Sequence, residues 1–159
     1  STPELSWKTT QLTDTQKYHL ELGASNPIGP LPSDFNLAFR YSRQFLEHRE
    51  DSFPIGPGVL LGLDYNIGTG ATRIGAAYIT ETVLSGFMVG VLLKHRREEL
   101  YGGVQVGFNF GGLLPFGFYF RQSYMLFDPE PWHADFGIHF VLHEKKTRKT
   151  VKRRKEDWW

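Results

Sequence analysis

The chain has no cysteine. That excludes a disulfide scaffold, a zinc site built on thiolates, and any thiol chemistry. It also lacks a leader-like N-terminus, so Ser1 reads as the processed end of a mature chain. Only one long stretch is free of charge, residues 100–120, and its 21 positions would suffice for a membrane helix. Yet it holds Gly102, Gly103, Gly107, Gly111, Gly112, Gly117 and Pro115. Glycine costs about 1 kcal/mol and proline about 3 kcal/mol in a helix interior, so a helix is excluded. Disorder is excluded as well, because 40% of the residues are apolar and 15% aromatic. At 159 residues the chain has the size of one domain.

Net charge is nearly absent too: 18 Lys and Arg stand against 17 Asp and Glu. The balance hides a split. Residues 144–159 hold eight cations and three acids, a surplus of +5, which leaves −4 on residues 1–143. The sequence thus describes a mildly acidic body with a basic tail.

What is abundant is alternation. Residues 104–111 place Val104, Val106, Phe108 and Phe110 on one face and Gln105, Gly107, Asn109 and Gly111 on the other. Residues 132–143 place Trp132, Phe136, Ile138, Phe140 and Leu142 against His133, Asp135, Gly137, His139 and His143. A period of two is the signature of a strand with one apolar face. Eight such segments are predicted, at 17–25, 34–46, 58–68, 71–82, 86–96, 101–112, 114–127 and 131–144. The breaks between them are rich in Gly and Pro, as in 26–32, 54–58, 68–70 and 128–131. Short connections of this kind join antiparallel neighbours. The expectation is an all-β, eight-stranded antiparallel up-and-down barrel over 17–144, flanked by an N-terminal segment 1–16 and a basic tail 145–159.

The polar face decides which side is inside. A solvated face is normally rich in Lys, Glu and Thr, whereas this one is rich in glycine. Ten glycines are assigned to it: Gly23, Gly62, Gly68, Gly75, Gly90, Gly103, Gly107, Gly111, Gly117 and Gly137. Its charges are few and of both signs. Glycine and paired charges suit the narrow interior of an eight-stranded barrel, and the many Phe and Tyr would overfill it. The predicted sense is therefore polar within and apolar without, the sense of a transmembrane barrel. A soluble lipocalin-like ligand-binding barrel is the opposite arrangement.

At this point the chain resembles the small eight-stranded outer-membrane β-barrel proteins of Gram-negative bacteria. Their last strand carries a polar residue, a glycine, an aromatic and a final hydrophobic residue, read by the barrel-assembly machinery. Asp135, Gly137, Phe140 and Leu142 match that spacing, although 17 residues follow Leu142 here. The resemblance implies location in the bacterial outer membrane, contact with its lipid, and both termini in the periplasm. The outer loops would then be 26–33, 68–71, 96–101 and 127–131, all short. The resemblance implies no activity.

Candidate sites follow from the inner face. Glu21, Arg40, Asp64, Arg73, Arg121, His133, Asp135 and His139 are expected to form a polar network that fills the lumen. The histidines of the last strand invite a metal reading, but ten residues from His133 to His143 span about 33 Å, too far for one ion. No metal and no cofactor are expected. An outer-membrane lipid A hydrolase or acyltransferase would use a Ser beside a His; no His lies two residues from Ser42, Ser85 or Ser123. Ser123 could still meet His133 across the 127–131 turn. No catalytic residues are assigned. In the tail, Lys152, Arg153, Arg154, Trp158 and Trp159 combine charge with aromatic anchors and are expected to bind another outer-membrane or periplasmic protein. Nucleic acid is not expected as a partner. The resulting expectation is a non-enzymatic accessory subunit of an envelope complex.

Overall fold

In a computed structural model the chain forms a closed barrel of eight antiparallel strands in sequence order. Residues 7–25, 34–48, 56–81, 85–111 and 115–154 are described. The strands are β1 (Trp7–Ser25), β2 (Asp34–His48), β3 (Gly56–Asn66), β4 (Thr72–Glu81), β5 (Ser85–Arg96), β6 (Glu99–Phe110), β7 (Phe116–Met125) and β8 (Trp132–Arg154). Each pairs with its sequence neighbour, and β8 closes the barrel on β1.

The sense of the alternation is polar inside and apolar outside. Phe39, Leu61, Ile74, Val91, Phe108 and Phe118 are all exposed on the outer wall. Glu21, Arg40, Asp64, Arg73, Gln105 and Arg121 are buried within. This inverts the arrangement of a soluble barrel, in which the large apolar side chains fill the interior.

The interior also has an apolar patch. Leu60, Ala77, Ile79 and Met88 point inward and form a small cluster. Glycine clears space around the charges. A Cβ on Gly107 would lie 2.7 Å from Arg121 Cγ and 3.1 Å from Met88 Cγ, and one on Gly62 would strike the Arg40 guanidinium. Two of the ten glycines assigned to the inner strand face lie elsewhere. Gly68 is in the β3–β4 turn, and Gly111 follows β6 with φ 75°.

The β3–β4, β5–β6 and β7–β8 connections at one end, and the start of β1 with the finish of β8 at the other, define two ends of the barrel. At the loop end, β5 and β6 meet in a two-residue connection, Arg97 and Glu98, with φ of 51° and 65°. Two positive values are what the twist of a tight hairpin demands. The segment 26–33, expected as the first loop of this end, lies outside the described residues.

At the termini end, two strands exceed their predicted limits by ten residues each. β1 starts at Trp7 rather than 17, and β8 runs to Arg154 rather than 144. The segments that composition set apart as an N-terminal piece and a basic tail are thus paired with each other, from Trp7↔Arg154 to Gln16↔Lys145. Alternation gave no hint of this, because both faces of this ribbon are polar. The β-branched Thr9, Thr10, Thr13, Thr15, Thr147 and Thr150 were the available signal.

The register slips by one residue between Tyr18 and His19: His19 pairs with Val141 and Tyr18 with His143. Leu142 is the extra residue of a β-bulge. The slip corrects one expectation. His143 does not share the inner face with His133, Asp135 and His139; it is exposed, with its ring 6.2 Å from that of outward-facing Tyr18.

Candidate functional site

Six strands deliver one charge each to the centre of the lumen. Glu21 comes from β1, Arg40 from β2, Asp64 from β3, Arg73 from β4, Arg121 from β7 and Asp135 from β8. They join into a single chain of alternating sign. Arg121 grips Glu21 through both terminal nitrogens, each bond 2.5 Å. Arg40 donates its Nε to Glu21 Oε1 at 2.5 Å and its Nη2 to Asp64 Oδ1 at 2.6 Å. Arg73 bridges Asp64 at 3.1 Å and Asp135 at 2.9 Å. Three guanidinium groups thus meet three carboxylates, and the chain is neutral.

Its ends are tied off by neutral groups. Ser25 donates to Asp135 Oδ1 at 2.5 Å, and Asn36 Nδ2 reaches the same oxygen at 3.1 Å. Arg121 also lies 4.3 Å above the Tyr119 ring, and its Nε points at Met88 Sδ, 3.1 Å away. Burying charge is costly unless every ion is paired and hydrogen-bonded, and this connected arrangement meets that condition.

The two expected histidines stand outside the chain of ion pairs. His133 Nε2 is 3.1 Å from Lys94 Nζ, which donates to Asp128 Oδ2 at 2.7 Å. This second cluster sits at the loop end and fastens the 126–131 connection to β5. Burial pushes the Asp128 carboxyl up, but the Lys94 ammonium and the Glu130 N–H, 3.0 Å from Oδ1, outweigh it and hold the group below the ordinary carboxylate range. His139 faces the ring of His19 at 5.9 Å, and His19 Nε2 is 2.9 Å from Ser42 Oγ. Lys94, Asp128, Ser25, Asn36 and the His19–Ser42 pair were not placed in the site from sequence. Lys94 was visible as an inner-face charge; Asp128 sits in a turn, where parity says nothing.

Ser123 stands opposite His133 in the β7–β8 register, as the 127–131 turn suggested. Its hydroxyl has no hydrogen-bond partner. Among the described residues the Ser that does meet a His is Ser42, and both members of that pair are buried in the lumen. Among the described residues no three His, Asp or Glu come together as a metal would require. The void beside His19, Glu21, Arg40 and Arg121 measures about 10 Å³, space for a single water. At the loop end the lumen opens into a vestibule of about 230 Å³ lined by Arg73, Lys94, Arg96, His133, Asp34 and Glu130.

Asp135 and Gly137 of the assembly-signal spacing face the lumen, Phe140 faces outward, and Leu142 sits in the bulge. Of the predicted partner-binding residues, Lys152, Arg153 and Arg154 lie on β8 opposite Thr9, Lys8 and Trp7. Trp158 and Trp159 lie outside the described residues. Neither a family model nor a curated protein sequence matches the chain.

Proposed function

We propose that the chain is an integral barrel of the Gram-negative outer membrane, with its apolar wall in lipid. It acts as a non-enzymatic structural or accessory subunit that docks another envelope protein at its periplasmic, termini-bearing end. The observation that carries this reading is the pairing of an exposed apolar outer wall with a lumen filled by neutralised charge. On β7 the outward face over 116–126 runs about 33 Å at ~3.3 Å per residue. At a strand tilt of about 40° it stands about 25 Å tall, the height of a lipid-facing band.

Aromatic side chains at both edges of that band support the same reading. Tyr18, Tyr41 and Tyr78 lie toward the termini end, with Tyr18 and Tyr41 rings 5.2 Å apart. Tyr65, Tyr124 and Trp132 lie toward the loop end, with the Tyr124 and Trp132 rings 4.7 Å apart. Amphipathic rings favour the head-group level of a bilayer. The ion-pair chain across the lumen argues for a plugged barrel rather than a conducting one. The enclosed His19–Ser42 pair, remote from any outer-wall substrate, argues for a structural role over lipid A chemistry.

Fractionation tests the reading. The full chain should pellet with outer membranes, resist extraction by carbonate, and migrate on gels as a compact form that heating converts to a slower one. Recovery in the aqueous fraction without detergent would overturn it. Stepwise conductance in planar bilayers would overturn the plugged lumen.

A further inference from the structure

Past Val141, β8 has no strand partner on its β7 side among the described residues. The β7–β8 ladder ends at Phe116↔Phe140, with one further bond from Val141 N–H to the Pro115 carbonyl at 2.8 Å. β1 stays paired along the opposite side as far as Arg154. Among the described residues no strand pairs with the β7-side edge over 142–154. At ~3.3 Å per residue that edge is roughly 40 Å long. An unpaired strand edge is a template for another strand.

Charge specifies what fits. Residues 144–149 carry Glu144 against Lys145, Lys146, Arg148 and Lys149, a surplus of +3, and all are exposed. Glu144 is within 3.2 Å of Lys146. The nearest acid of β1, Asp14, is already held by Arg43 through bonds of 2.8 and 3.2 Å. Parity then separates the cations. Lys145 and Lys149 lie opposite Gln16 and Leu12 on the face shared with Tyr18. Lys146 and Arg148 lie opposite Thr15 and Thr13 on the other face. Positive charge therefore flanks the edge from both sides of the ribbon.

We infer that the free edge of β8 over 142–154 accepts an extended acidic segment of a partner protein by strand addition. This deepens the docking reading above and rests on it. Main-chain bonds to the edge supply affinity, and carboxylates at consecutive positions of the added strand meet cations on both faces. A second copy of this chain fits poorly, since edge-to-edge pairing sets cations opposite cations. A flat anionic lipid surface would engage only one of the two charged faces.

The test uses the purified full chain and a fluorescent synthetic strand of about eight residues, Glu-Glu-Val-Thr repeated, read by anisotropy. Binding is expected, and N-methylation of alternate peptide amides should weaken it by at least about tenfold. The quadruple variant Lys145→Glu, Lys146→Glu, Arg148→Glu, Lys149→Glu should abolish it while retaining compact, heat-modifiable migration. Equal binding of the N-methylated peptide would overturn strand addition and leave charge alone. Failure of the peptide to bind would overturn the proposal, whether or not phosphatidylglycerol vesicles bind through the same four cations. The assay reads the edge wherever the chain fractionates. Peptide binding by a chain found in the aqueous fraction would thus sink the membrane reading alone.

Discussion

β1 and β8 each cross two environments, and they solve the problem of charge differently in each. Within the barrel, Glu21 and Asp135 are buried, and each is held by guanidinium groups brought from other strands. Beyond the bulge at Leu142, β8 carries Lys145, Lys146, Arg148 and Lys149 in the open, with few acids to answer them. The lumen can hold charge only because acids and bases are matched one to one at short distance, and the void beside Glu21, Arg40 and Arg121 admits about one water. The ribbon is free of that constraint, since exposed cations cost little, and so a surplus can remain for a partner. Neutrality in one region and surplus in the other are what the near-zero net charge of the whole chain concealed.

The contrast can be broken most severely at Glu21, which neutralises two arginines. Glu21→Ala should cost about 3–5 kcal/mol, because Arg121 and Arg40 are left buried with partners missing. The readout is a fall in the denaturant concentration or temperature at which compact gel migration is lost. Gly137→Ala comes next, at about 1–3 kcal/mol on the same assay. Its new Cβ would lie 2.6 Å from Gly23 Cα and strike the Leu22 carbonyl, so backbone must move at the seam.

Acid should act on the loop-end latch. The Asp128 carboxyl titrates lower folded than unfolded, so its stabilisation is complete above the ordinary value of about 3.9. That stabilisation is lost as pH falls through the folded value. Asp128→Asn should therefore flatten the acid limb of a stability-against-pH curve, and an unchanged limb would assign that limb to other groups. The smallest effect belongs to the ribbon. Arg43→Ala breaks an exposed pair with Asp14 and should change stability by less than about 1 kcal/mol. A loss as large as that of Glu21→Ala would erase the distinction between the two regions.

Most of the barrel body was legible because each strand has one apolar and one polar face. Parity alone placed Glu21, Arg40, Asp64, Arg73, Arg121 and Asp135 inside. It could not say who meets whom: Arg121 of β7 reaches past β8 to Glu21 of β1, a contact set by barrel closure rather than by spacing. Parity failed outright at His143, where one inserted residue reverses every later side chain. The ribbon was illegible for another reason. Residues 7–16 and 145–154 have no apolar face to hide, so they read as a flanking segment and a basic tail, and their threonines went unweighed.

The closing seam has a consequence for how the barrel is made. β8 leaves the ribosome after the other seven strands of the barrel and its partner β1 before them, so the longest ladder joins the first and last strands. Seven strands can zip sequentially through local hairpins, but circularisation must wait for the eighth and bear the loop entropy of the whole barrel at once. Until then β1 and β7 both present raw edges to anything nearby. Running the seam out to Trp7 and Arg154 lengthens the ladder that holds that last step shut.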